Sequence, residues 1–187
     1  TSSYITSRSN ASFVPNTASD FKPSGSRLIR FQLAQESGWM DSGTCRLLFR
    51  LTNLSPTATL SPITDSPGSI FRSLRIVASG SSELERIHYY GRTHQLMSEL
   101  LPSARRSNDI IESWGGTNDT CTLSNPSKPD RIPPDSSRIV CVHLMSGLFA
   151  CGKMLPLAYM PLTLELEIGD ADDAFEGINN QWSICRP

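Results

Sequence analysis

Between Met160 and Ile168 the chain alternates strictly, with Leu162, Leu164, Leu166 and Ile168 on one side and Thr163, Glu165 and Glu167 on the other. Side chains of a β-strand point to opposite faces in turn, so this period of two predicts a strand buried on one face and wet on the other. Such a strand needs partners in its sheet and a second apolar layer over its buried face. The same texture recurs where Ile29, Phe31 and Leu33 alternate with Arg30, Gln32 and Ala34. It returns where Cys45, Leu47, Phe49 and Leu51 face Arg46, Leu48 and Arg50, and again around Ile70, Leu74 and Ile76. Arg138 to Met145, rich in Val, Ile and Cys, and a short segment at Trp182 and Ile184 read as the remaining strands. The expected fold class is all-β, an antiparallel sandwich with one inserted helix between strands. Long Pro-rich connections select the jelly roll over an immunoglobulin-like sandwich, which asks for turn signals about every 8–12 residues. A parallel α/β fold would need several helices between strands.

The inserted helix is expected from Glu83 to Leu101, capped by Ser82, with Gly91 dividing it and Pro102 ending it. Residues 1–25 are rich in Ser, Thr and Asn with isolated apolar side chains, and read as an extended N-terminal arm ahead of a jelly-roll domain at residues 26–187. Phe13 and Phe21 have no evident intramolecular partner in that arm and are the candidate anchors on a neighbouring subunit. Asn53 to Gly68 holds three prolines and reads as a loop with a short edge strand about Thr57 to Leu60. Residues 117–137 carry Pro126, Pro129, Pro133 and Pro134 and form the expected exposed excursion.

With 187 residues there is room for one core, and a formal net charge of -1 supplies no basic field to gather nucleic acid over the whole surface. No run of apolar residues is long enough for a membrane span. The sequence begins at Thr1 without Met and ends at Pro187, so trimming or further chain is expected. Five Cys lacking C-x-x-C spacing read as free thiols rather than a disulfide framework or zinc knuckle. The sequons at Asn10, Asn53 and Asn118 are matches that a Ser-rich chain produces by chance.

Chemistry finds little purchase. Cys141 and His143 stand two apart on one strand face, without the surrounding motif of a nucleophile. His88 and His94 are six apart, a spacing that does not align two ligands on a helix. Asp170, Asp172, Asp173 and Glu176 read as a solvated acidic loop before they read as a calcium site, because the pattern of an EF-hand is missing. No Gly-rich phosphate loop occurs, and the Arg105-Arg106 pair alone is too few charges for one. The expectation is a protein without catalysis, cofactor or obligatory metal.

Ser146-Gly147-Leu148-Phe149, then Gly152-Lys153-Met154-Leu155-Pro156-Leu157, run directly into Met160-Pro161 and the alternating strand. This stretch resembles the closing strands of jelly-roll capsid proteins of DNA viruses. Trp39-Met40-Asp41, Arg75-Ile76-Val77 with Gly80, and Glu83-Leu84-Glu85-Arg86-Ile87 leading to Tyr89-Tyr90 and Arg92 are similar to the first jelly roll of double-jelly-roll major capsid proteins of polinton-like and related viruses. The likeness covers about Ser26 to Ile184 and departs in length, since a double jelly roll is more than twice as long. It implies a structural protein of the virion, assembled in the host cell, whose partners are copies of itself and other capsid proteins in an icosahedral shell. The alternative left by the strands themselves is a secreted jelly-roll binding module, lectin-like or cytokine-like.

Overall fold

The computed structural model describes residues 7–34, 38–64, 66–78, 82–104, 131–176 and 181–187. The alternating segments are strands: β1 (Asp20–Phe21), β2 (Leu28–Leu33), β3 (Met40–Asp41), β4 (Arg46–Asn53), β5 (Ser61–Pro62), β6 (Phe71–Ala78) and β7 (Ser82–Ile87) come first. After helix α1 (Tyr90–Glu99) follow β8 (Ser137–His143), the single turn α2 (Gly147–Ala150), β9 (Met154–Leu155) and β10 (Leu162–Ile168). A second single turn, α3 (Ala171–Ala174), leads to β11 (Phe175–Glu176) and β12 (Trp182–Cys185).

Antiparallel pairing joins β1 to β12, β2 to β10, β4 to β8 and β6 to β7, as in one long hairpin. The hairpin is then rolled, so that β12 also meets β4 and β10 also meets β6. Two four-stranded sheets result, ordered β1-β12-β4-β8 and β2-β10-β6-β7. That is the jelly roll. Two ribbons, β3 with β9 and β5 with β11, and the isolated bridges Pro15↔Phe31 and Leu60↔Ile132 complete the pairing among the described residues.

The core lies between the sheets because each long strand turns its apolar side inward. In β10 the residues Leu162, Leu164, Leu166 and Ile168 are buried, and Leu164 sits between Phe31 of β2 and Ile76 of β6. Leu164→Ala is expected to lower unfolding free energy by about 2–5 kcal/mol, read from a denaturant melt; a loss under about 0.5 kcal/mol would contradict this register.

Three expectations need correction. The helix is shorter than Glu83 to Leu101: Ser82–Ile87 is strand β7, paired with β6 at Arg75↔Arg86 and Ile76↔Glu85, so Ser82 caps nothing. Leu84 and Ile87 fit helical spacing, but the free edge of β6 offers a full ladder of backbone hydrogen bonds, and tertiary pairing overrides so short a local preference. Gly91 does not divide α1. A Cβ there would lie 3.0 Å from the Ser69 Cα, so the glycine lets the first helical turn press against the 3₁₀ turn Pro67–Ile70. Nor is the arm separate throughout its length, since β1 at Asp20–Phe21 pairs with β12 and places Phe21, 2% exposed, in the core. Phe21 is thus packed within its own chain and is no anchor for a neighbour.

Asn53 ends β4 with its side chain buried. Its amide nitrogen donates to the carbonyls of Ala58 (2.9 Å), Ile132 (3.0 Å) and Pro133 (3.1 Å), and its oxygen accepts from the Ser55 N–H (3.0 Å). One amide thereby fastens two Pro-containing loops to the end of a strand, which leaves this sequon unable to accept a glycan. Asn53→Ala should cost about 1–3 kcal/mol in a urea melt, because the buried Ser55 N–H loses its acceptor and the Ala58 and Pro133 carbonyls lose this donor.

Candidate functional site

The outer faces of the two sheets differ in kind. Across β2-β10-β6-β7 the outward charges answer one another: Glu165 accepts from Arg30 (2.8 Å) and Arg75 (3.1 Å), and Arg75 also pairs with Glu83 on β7. Those carboxylates, by their hydrogen bonds, hold the Arg75 guanidinium pKa above its ordinary value. Ser73 donates to Glu167 beside them (2.9 Å). This face is a compensated, wet surface. Each exposed pair on it is worth little singly, and together they favour the observed cross-strand register.

The outward row of β4 in the other sheet reads Arg46, Leu48, Arg50 and Thr52, facing His143, Cys141, Ile139 and Ser137 of β8. Leu48 is 52% and Ile139 53% exposed, and neither Arg46 nor Arg50 has a carboxylate partner among the described residues. Apolar area and uncompensated positive charge therefore share one flat face. Outward Leu48 between two arginines was the signal in the alternating pattern that could have marked this face.

Helix α1 displays more. Its inner side is held by buried Tyr90, whose hydroxyl accepts from the Met145 N–H (3.0 Å), and by buried His94, paired with Ser66 Oγ (2.7 Å) and with the His143 carbonyl (3.2 Å). Burial pushes the Tyr90 hydroxyl pKa well above the ordinary tyrosine value. Gly68 lies under the His94 ring, where a Cβ would approach within 2.4 Å. The other side exposes Leu96 (63%), Met97 and Leu100 (75%), with Tyr89 ahead of the helix.

The remaining candidates disperse. Cys141 and His143 share the outer side of β8, while His88 is exposed and His94 buried. Cys45 is raised in pKa by burial, and neither it nor Cys141, Cys151 or Cys185 is in a disulfide among the described residues. Phe13 is half-buried against the core, Trp39 is exposed beside β3, and among the described residues no group of three His, Cys, Asp or Glu is placed to hold a metal. Residues 117–130 of the Pro-rich segment, Arg105-Arg106, the Asn118 sequon and Cys121 lie outside the described residues; Ile132 is buried and bridges Leu60. Among the described residues no helix is long and apolar enough to cross a membrane.

The acidic stretch is ordered by α3, with Asp172 and Asp173 in its first turn, where the helix dipole favours them. Asp170 is taken by Arg27, whose guanidinium donates to its carboxylate and to the Gly169 carbonyl, and this partner holds the Asp170 pKa below the ordinary carboxylate range. The pair's contribution is complete above the unfolded value of about 3.9 and is lost as pH falls through the lower folded value. Comparing wild type with Arg27→Met across pH should show a stability gap at pH 6 that closes in that acid window. A gap unchanged down to pH 2 would count against the pairing.

No protein-family profile matches the chain. No curated protein matches it either. Among solved structures, a chain from the 3.5 Å cryo-EM structure of the Sputnik virophage superposes with a TM-score of 0.47 at 10% sequence identity, over 98% of this chain and 51% of that one. This chain spans about half the length of that structure's chain.

Proposed function

We propose that this protein is a structural subunit of a viral capsid, a jelly-roll tile that joins copies of itself and other capsid proteins in the virion and carries out no catalysis. The observation that supports the reading most is the display of apolar side chains on two different elements outside the core, Leu48 and Ile139 on the β4–β8 face and Leu96 and Met97 on α1 with Leu100 at its end. Single exposed apolar residues are ordinary on any surface. Grouped by strand register and by helix face, they instead suit contacts with neighbours on more than one side, which a closed shell requires of its tiles.

Sedimentation velocity and negative-stain electron microscopy of the purified full chain test this over a range of concentration and salt. Rings, plates or closed particles are the expected result. A monomer at every concentration would overturn the proposal, and a monomer that is retained on a glycan array would favour the binding-module alternative.

A further inference from the structure

Resting on that reading, we infer that the β4–β8 outer face is the seat for the acidic end of a second copy of this chain. The seat is Arg46, Leu48, Arg50 and Ile139, in register across two paired strands. Its complement lies at the end of the sandwich where β5 and β11 pair. There Asp173 and Glu176 are exposed without a cationic partner among the described residues, and Ile63, 44% exposed, is tied by its N–H to the Ala174 carbonyl (3.0 Å). Two carboxylates near an aliphatic side chain thus match, in charge and polarity, two guanidinium groups beside two more. The other sheet's outer face offers no such seat, because its Arg30, Arg75, Glu83 and Glu165 already satisfy one another.

The two patches do not meet within one molecule. β4 runs from Arg46 to Asn53, and the acidic end lies beyond the Asn53 end, where Trp182 of β12 pairs with Asn53 and donates to the Ala171 carbonyl (3.3 Å). Seven residues of strand put Arg46 on the order of 23 Å from that end and three put Arg50 on the order of 10 Å from it, and among the described residues no ion pair joins the two patches within one molecule. The contact is therefore head to tail between copies, and contacts of that class close into rings when the rotation allows. Opposite charge steers and orients the encounter, while Leu48, Ile139 and Ile63 supply the apolar area at its centre.

The test uses two charge-reversed full-length variants, R46E/R50E and D173K/E176K, followed by analytical ultracentrifugation at low and high salt. The changed residues are exposed, so R46E/R50E should melt as wild type does; D173K/E176K should melt slightly lower, because it loses a first-turn carboxylate of α3, and association is compared at a temperature where all three proteins are folded. Each variant alone should self-associate at least about tenfold more weakly than wild type, since each now sets like charges face to face. Wild-type association should weaken as salt rises. Mixed one to one, the pair should recover association, because the glutamates of one seat meet the lysines of the other variant while the unaltered arginines meet the unaltered carboxylates.

If both variants associate as wild type does, or if the mixture fails to recover, this contact is wrong while the tile reading stands. If wild type never associates at low salt, both fall. Binding of a short DNA duplex by wild-type monomer, abolished in R46E/R50E and without self-association, would assign the face to nucleic acid and overturn the inference.

Discussion

Phe71→Ala is expected to lower the unfolding free energy by about 3–5 kcal/mol, a large part of the roughly 5–15 kcal/mol available to a domain. The ring is 1% exposed and begins β6, where it stands edge-on to Phe49 of the opposite sheet with centroids 5.9 Å apart and an interplanar angle of 84°. On its other side it meets Tyr90 at 6.5 Å, and Tyr90 in turn meets His94 at 5.7 Å. One side chain therefore bridges both sheets and the inner side of α1. Truncation leaves a cavity that rigid strands on two sides cannot close, so the cavity cost adds to the lost transfer energy. Urea melts followed by fluorescence and by circular dichroism should move together to lower midpoint. A loss below about 1 kcal/mol would mean that the sheets do not meet at this ring.

Legibility in the sequence followed the number of side chains that repeat a pattern. β2, β4, β6 and β10 each place three or four apolar residues on one side, and their positions agree with the alternation to within a few residues. β1 was invisible because a strand of two residues with one inward side chain, Phe21, has no period. β7 is not legible as a strand because Leu84 and Ile87 alone do not separate a helix from an edge strand, and the decisive partner, β6, is only found once the sheet is assembled. The surfaces were harder still. Glu165 meets Arg30 and Arg75 across 135 and 90 residues of sequence, so which arginines are compensated depends on strand order. Arg46 and Arg50 look no different from Arg30 and Arg75 along the chain. Only the register shows that one pair faces carboxylates and the other faces Leu48, Ile139 and water.

Removing residues 1–25 should destabilise the domain rather than spare it, the reverse of what an independent arm would predict. The deletion takes away β1, whose Phe21 faces Ile184 of β12 inside the core, and so bares the edge of that strand. It also takes away the segment that covers the edge of β2, where Pro15 bridges Phe31, the Asn16 N–H donates to the Arg30 carbonyl (3.0 Å) and the Thr17 hydroxyl donates to the Leu28 carbonyl (3.0 Å). Loss of a buried Phe alone is worth about 3–5 kcal/mol, which for a chain of this size lowers the melting temperature by roughly 6–20 °C. Two unprotected strand edges add a tendency to aggregate that is unrelated to ordered assembly. Phe21→Ala should reproduce most of the thermal shift, whereas Phe13→Ala, at a half-buried site, should shift it by only about a third as much. A truncated chain that melts as wild type does would show that β1 contributes nothing to the fold. If the expected shift is found, failure of the truncated chain to build particles says nothing about arm exchange between subunits. The informative variant for that question is then Phe13→Ala, measured for association at a temperature where both proteins are fully folded.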